Sequence, residues 1–310
     1  MTQVLLMTSQ LDALTEINID DMFDSVGLNG RLRGNRLLRG LCWLPARSFA
    51  QLVADFDGEV GRHGLSGGSA WLLKRVVRKL EVAGRENVPP IGPALILSNH
   101  PGMADTISLF ASLPPIAAFG GLPRPDLRII VNDRPFLQAL PNVSRYLLYV
   151  PAAGDADKTP AIRAVVKHLR QGGAVLTFPA GRIEPDPAVA PGAVESLQTW
   201  SESIALFARL APQTRIVPAI VSGVVSPAAQ YHPLTRLRRT PRGRERMAAM
   251  LQIMIPAYQS VTARVAFGPP LLAADLVADP AAITRAVTGH ARHLIESPPS
   301  AWETLLVGDR

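Results

Sequence analysis

Cysteine is nearly absent from this 310-residue chain: Cys42 stands alone, so no internal disulfide can form and the composition suits a reducing compartment. Aromatic residues make up 5% and charged residues 18%, against 47% apolar. So little charge in so apolar a chain excludes an intrinsically disordered protein and fits a folded one with a large core. Sparse aromatics leave no stacking platform for nucleic acid, and neither a zinc pattern nor an RNA-binding motif is present, so no nucleic-acid partner is expected. Long hydrophobic runs are missing too. The uncharged stretch from Thr106 to Pro123 contains Pro114, Pro115, Gly120, Gly121 and Pro123, which predict a helix followed by a loop, not a membrane span. Met1 to Glu16 offers only Val4-Leu5-Leu6-Met7 as an apolar run, without a basic flank, and no secretory leader is expected.

Acidic residues are outnumbered, 25 against 32 basic, which leaves a net charge of +7 carried almost entirely by arginine. The cations cluster. Arg31, Arg33, Arg36 and Arg39 form one group, and Lys74, Arg75, Arg78 and Lys79 a second. Arg236, Arg238, Arg239, Arg242, Arg244 and Arg246 form the densest, followed directly by the apolar run Met247 to Ile255. Basic charge beside an apolar segment fits an anionic membrane surface, where electrostatic attraction adds to buried apolar area. The other reading is a solvated arginine face beside a core helix.

The rhythm of the chain changes near residue 80. Leu11 to Leu80 reads as helical, interrupted at Pro45 and at Gly64 to Gly68, and Ser48 to Val60 carries apolar residues at helical spacing. Beyond it, strands are expected at Ala94–Leu97, Leu127–Val131, Tyr146–Val150, Ala174–Phe178, Ile216–Val221 and Val261–Phe267. Helices are expected at Ala104–Leu113, Thr159–Arg170, Val194–Leu210 and Ala281–Glu296. The alternation predicts an α/β fold, a central mostly parallel or mixed sheet flanked by helices, with residues 1–79 as an N-terminal helical segment and 80–310 as the catalytic domain.

Within the second part, Leu97-Ser98-Asn99-His100-Pro101-Gly102-Met103-Ala104-Asp105 places a histidine where a strand turns into a helix and a carboxylate in that helix's first turn. A neutral imidazole can take a proton from a hydroxyl near neutral pH, and a carboxylate on its other nitrogen fixes the tautomer and stabilises the imidazolium. This is the base and orienter of a serine-hydrolase triad without an obvious serine. If no protein nucleophile is present, the natural client of the base is a hydroxyl on the substrate, which points to acyl transfer in one step. A buried histidine with a helix-capping aspartate is the structural alternative. His168, His232, His290 and His293 have no metal-ligand spacing, so no metal site is expected. Gly64 to Gly68 lacks the lysine-serine ending of a phosphate loop, and Met103 reads as packing.

Asn99-His100-Pro101-Gly102-Met103-Ala104-Asp105 resembles the N-H-x-x-x-x-D motif of the glycerophospholipid acyltransferase superfamily. Three further blocks follow the family's order. Leu80 to Pro89 is similar to its lead-in strand and G-x-E-N-[LV]-P segment. Leu169 to Arg182 resembles the run ending in F-P-E-G-T-R, and Ile216-Val217-Pro218-Ala219-Ile220 resembles the proline-containing strand. The resemblance covers about Leu80 to Val225. It implies transfer of a fatty acyl group from acyl-CoA or acyl carrier protein to a hydroxyl of a (lyso)glycerophospholipid-type acceptor, with no cofactor beyond the acyl donor. His100 would be the general base and Asp105 its orienter, with Asn99, Gly181, Arg182 and Lys158 on the substrate side.

The third block departs from the pattern. Ala180 stands where the family has glutamate, and Arg182 comes one position earlier than its arginine. Glu184 could replace the missing carboxylate or cap the following loop. After the strand ending at Val150, where the family has arginine, the chain reads Pro151-Ala152-Ala153-Gly154, and Lys158 and Arg163 are the nearest cations. These changes leave open an ornithine-lipid, lysophospholipid or glycolipid acceptor, or a binding module without catalysis. The expected location is the cytoplasm, peripherally on the inner face of the membrane.

Overall fold

The computed structural model describes residues 2–26, 34–151, 157–276 and 280–308. Nine strands form one sheet: β1 (Lys79–Ala83), β2 (Ala94–Ser98), β3 (Arg128–Asn132), β4 (Leu147–Val150), β5 (Ala174–Thr177), β6 (Arg215–Ser222), β7 (Thr262–Phe267), β8 (Leu271–Leu272) and β9 (Glu303–Val307). Their order is β4-β3-β5-β2-β6-β7-β1-β9, with β8 beside β6. From β4 to β6 all neighbours are parallel, whereas β6 pairs antiparallel with β7, and β1 pairs parallel with β7 and antiparallel with β9. The sheet is therefore mixed.

Eleven α-helices surround it among the described residues: α1 (Thr2–Val26), α2 (Arg36–Val76), α3 (Met103–Ser112), α4 (Pro135–Gln138), α5 (Pro141–Ser144), α6 (Thr159–Arg170), α7 (Ala193–Ser196), α8 (Ser203–Leu210), α9 (Pro227–Gln230), α10 (Pro241–Met254) and α11 (Pro280–Glu296). Side chains alternate along a strand, so β2 serves two cores. Ile96 joins Leu176, Val217, Leu73 and Leu109 on the α2/α3 face, while Leu95 and Leu97 join Val175, Ile216, Leu169 and Val287 on the α6/α8/α11 face. All five residues of β2 are buried, as a strand covered on both faces demands.

The N-terminal helices share this core, since Leu14 of α1 and Val53, Phe56, Val60 and Leu73 of α2 belong to the cluster that holds Ile96. A polar tie reinforces the contact. Buried Asp57 of α2 accepts bonds from the Asn142 amide N–H (3.0 Å), the Asn142 side chain (2.9 Å) and the Val143 N–H (2.9 Å), capping α5. Asp57→Ala leaves three donors without their acceptor, and a loss of about 2–3 kcal/mol in denaturant unfolding is expected; unchanged stability would show that water replaces the carboxylate.

Four sequence expectations need correcting. The helix runs through Pro45 and breaks only at Gly64, whose φ of 69° suits glycine alone among common residues. The helix expected over Val194–Leu210 is α7, a 3₁₀ turn (Leu197–Thr199) and α8, because bonds to a neighbouring loop pull Trp200 and Ser201 out of it. β9 carried no signal, since only Leu306 of its five residues is buried. Met247, Ala248 and Leu251 of the apolar run after the arginines are buried, on a helix that packs against α1 and α2, so those three belong to the core, while Met254 is exposed. Arg31, Arg33 and Ala152 to Gly154 lie outside the described residues.

Candidate active site

The chain leaves β2 at Ser98 on the edge of the sheet where β5 and β6 also end, the side on which parallel sheets bind ligands. Asn99 turns inward. Its amide donates to the Val221 carbonyl (2.9 Å) and accepts from the Val221 N–H (2.8 Å), and it is 2% exposed. Both ends of the amide are thus spent on β6. Asn99 locks the histidine loop to the sheet.

His100 follows, with its ring stacked on Phe178 at 4.5 Å between centroids. Its Nδ1 lies 2.7 Å from Asp105 Oδ2. The Asp105 side chain is fully buried, and that of His100 is 31% exposed. Among the described residues the ring's hydrogen bonding is confined to Nδ1, which leaves Nε2 without a partner. Asp105 occupies the first turn of α3 and also accepts the Gly102 N–H (2.9 Å) and the Thr106 hydroxyl (3.0 Å), which fixes the carboxylate independently of the histidine. Desolvation lowers the pKa of His100, but the charge and hydrogen bond of Asp105, with the charge of Glu184, outweigh it and raise the pKa above 6.5.

Glu184 is the residue whose role the sequence left undecided. It is buried, and its Oε2 accepts the His100 N–H (3.0 Å), while its own N–H donates to the His100 carbonyl (2.9 Å). Its other oxygen accepts the Ser196 hydroxyl (2.9 Å) and the Trp200 indole N–H (3.0 Å). Burial pushes its carboxyl above the ordinary range, against these bonds, which pull it down. Glu184 therefore clamps the histidine's backbone while Asp105 holds its ring, and both of its oxygens are engaged by these donors.

Two residues on, Asp186 clamps the next loop. It accepts the N–H groups of Gly223 (2.8 Å) and Val225 (3.0 Å) beyond β6, and burial raises its pKa as well. Sequence reasoning missed Asp186 and the stacking of Phe178. The one available signal was two acids, Glu184 and Asp186, in a proline-flanked loop otherwise poor in charge.

The remaining expected residues lie on the surface. Gly181 closes a turn through its N–H to the Phe178 carbonyl (3.0 Å) with a φ of 61°, and Arg182 beside it is exposed. Arg182 is two residues from Glu184, so its backbone lies within about 7 Å of the histidine clamp. Lys158 is exposed at the start of α6, with no described contact to the histidine loop. The Met103 side chain lies outside the described atoms. Among the described residues no group of three or more histidine, cysteine or acidic side chains is placed to hold a metal.

The family model described as Acyltransferase matches residues 79–222. No curated protein matches the chain. Among solved structures, the chain is similar to the 1-acyl-sn-glycerophosphate (LPA) acyltransferase PlsC from Thermotoga maritima, at 14% identity and a TM-score of 0.46 over 98% of this chain and 100% of that one. The matched segment contains the His100–Asp105 pair, the Phe178 turn and both buried clamps. Residues 79–222 are thus an acyltransferase-family domain, and the histidine, its aspartate and both clamping carboxylates lie within it.

Proposed function

We propose that the protein moves a fatty acyl group from acyl-CoA or acyl carrier protein to a hydroxyl of a (lyso)glycerophospholipid-type acceptor, with no further cofactor. The observation that carries this reading is the 2.7 Å bond between a half-exposed His100 and a wholly buried Asp105 inside an acyltransferase domain. Nε2 of His100 takes the acceptor's hydroxyl proton as the oxygen attacks the thioester carbonyl. The tetrahedral intermediate collapses with loss of the thiolate, which receives that proton from the imidazolium. Asp105 holds the Nδ1–H throughout and balances the transient charge. Neither step forms an acyl-enzyme. The clamps keep the base in near-attack geometry, which supplies much of the rate in a two-substrate transfer. Residues 80–310 carry this chemistry on a core they share with the helices of residues 1–79.

Arg182 fits a phosphate or carboxylate on the acceptor, since an exposed guanidinium beside the Gly181 turn can pair bidentately with either. Lys158 is a second, more distant cation for the same role. One observation favours a different acceptor. With Ala180 in place of the family's glutamate and Glu184 spent on the His100 backbone, the acceptor side keeps less of the expected polar set, which suits an ornithine lipid or a glycolipid. Among the described residues no helix is long and apolar enough to cross a membrane. The reading therefore places the enzyme on the inner face of the membrane, reached from the cytoplasm through its arginine-rich surface.

The test is transfer of labelled acyl groups from acyl-CoA and from acyl carrier protein to lysophosphatidic acid, lysophosphatidylglycerol, lyso-ornithine lipid and a glycolipid. Transfer to the phosphate-bearing lipids supports the main reading. Product with ornithine lipid or glycolipid alone supports the second. Absence of product from every pair overturns both.

A further inference from the structure

Between β6 and β7 the chain makes an excursion, residues 223–261, holding α9, a 3₁₀ turn (Pro233–Leu237) and α10. It leaves and rejoins the sheet at one edge, because Ser222 pairs with Arg264. That edge is the one from which His100 emerges, since Ser98 pairs with Ala219 of β6. The excursion is also fastened there. Asp186 holds the N–H groups of Gly223 and Val225, the Val225 side chain lies beside Gly102, and Gln252 of α10 bonds back to the Val224 carbonyl (2.8 Å) and the Ser226 N–H (2.9 Å).

Its outer surface combines two chemistries. Tyr231, Leu234 and Leu237 are 78%, 44% and 69% exposed. A 3₁₀ turn repeats every three residues, so Leu234 and Leu237 share a face, and Tyr231 ends α9 just before that turn. Around them, Arg236, Arg239 and Arg244 are exposed. Residues 223–261 contain six arginines against a single acid, Glu245. The buried Met247, Ala248 and Leu251 secure α10 from behind, which leaves these side chains on a fixed platform.

We infer that this platform is an interfacial anchor that sets the histidine edge of the sheet on an anionic bilayer, Tyr231, Leu234 and Leu237 entering the headgroup layer and the arginines meeting lipid phosphates. The occupant follows from charge complementarity and from the pairing of shallow apolar residues with basic ones, the pattern that binds anionic lipid surfaces. The inference rests on the proposed reaction at a membrane surface and names where contact is made. It gives a lipid acceptor a short path, because the anchor and the base rise from the same ends of β2 and β6.

The experiment compares wild type with Leu234→Ser/Leu237→Ser and Arg236→Gln/Arg239→Gln/Arg244→Gln, each shown to melt near the wild-type temperature. Sedimentation with phosphatidylcholine vesicles, with and without phosphatidylglycerol, reads binding, and turnover of a detergent-dispersed acceptor reads the catalytic centre. Wild type is expected to bind only the anionic vesicles. The arginine variant is expected to bind them about 100-fold more weakly at low salt, and the leucine variant at least tenfold more weakly, both keeping turnover in detergent. Wild-type binding by both variants overturns the anchor and leaves the membrane reading standing. Absence of wild-type binding to any vesicle overturns both. Loss of binding in Leu37→Ser/Leu41→Ser/Leu44→Ser alone would move the contact to the exposed stripe on α2 and overturn the anchor. So would a dimer that the leucine variant dissolves without changing vesicle binding.

Discussion

His100→Ala is expected to lower kcat/KM for acyl transfer by about 1,000-fold while leaving the melting temperature near that of wild type, because the side chain is 31% exposed and its ring stacks on Phe178 at the rim of the sheet. Asp105→Asn should cost a comparable factor by another route. The Gly102 N–H and Nδ1 both meet Oδ2, so an asparagine whose amide nitrogen takes that place loses the Gly102 bond and drives the ring to the wrong tautomer. The two variants differ in what they do to pH dependence. The base must be neutral, and the pKa of His100 is raised above 6.5, so wild-type kcat/KM climbs with pH along a limb lying above the ordinary histidine value. In Asp105→Asn the charge and bond that raise it are gone, desolvation still lowers it, and the residual activity should follow a limb displaced to lower pH. Equal transfer by wild type and His100→Ala on every acceptor would remove the histidine from the mechanism.

Glu184→Ala is expected to cost about 3 kcal/mol of stability and most of the activity together, since the His100 amide, the Ser196 hydroxyl and the Trp200 indole all lose their acceptor in a buried place. Glu184→Gln separates support from mere packing. It keeps the shape and one acceptor oxygen but turns a donor toward one of those three groups, so kcat should fall tenfold or more with KM little changed. The limb in the pH profile should also move slightly downward, because Glu184 contributes to the raised pKa of His100. Stability has its own sign. A carboxyl whose folded pKa is raised contributes most below about pH 4.5 and loses that contribution as pH rises through the raised value. The gap in melting temperature between wild type and Glu184→Gln should therefore be wider at acid pH than at pH 8. Asp57→Ala is the control: a buried carboxylate with as many bonds, but remote from the histidine, whose loss should lower stability and spare turnover per folded molecule. If Glu184→Gln behaves like Asp57→Ala, the clamp is structural only.

Local pattern sufficed where the determinant was local. β2 to β7 announce themselves as short apolar runs, and the interval from His100 to Asp105 is set by one strand end and one helical turn. What stayed hidden depends on partners far away in the chain. Val194 to Leu210 has good helical periodicity, yet Trp200 leaves the helix because its indole is claimed by Glu184 and the next residue's N–H by the Pro179 carbonyl. Glu184 itself was ambiguous, since no spacing rule tells that a carboxylate 84 residues away will hold the histidine's amide. The anchoring of Asn99 was hidden for the same reason: its partner is the Val221 backbone, 122 residues on. Met247 to Ile255 is as apolar as a membrane-seeking segment, and only the packing of α10 on α1 and α2 shows that Met247, Ala248 and Leu251 belong to the core.

The position of β1 has a consequence for the order in which the chain can be built. Its neighbours are β7 and β9, so Glu81 waits for Arg264 on one side and Thr304 on the other. The five parallel strands β4-β3-β5-β2-β6 are complete once residue 222 has been made, histidine loop included. β1, though synthesised before all of them, has no place until nearly the whole chain has left the ribosome. During that interval β6 offers an open edge beside the active site, and loop closure over such separations is slow. A nascent chain of this protein should be a long-lived client for chaperones, with a sheet that carries His100 well before it can be sealed.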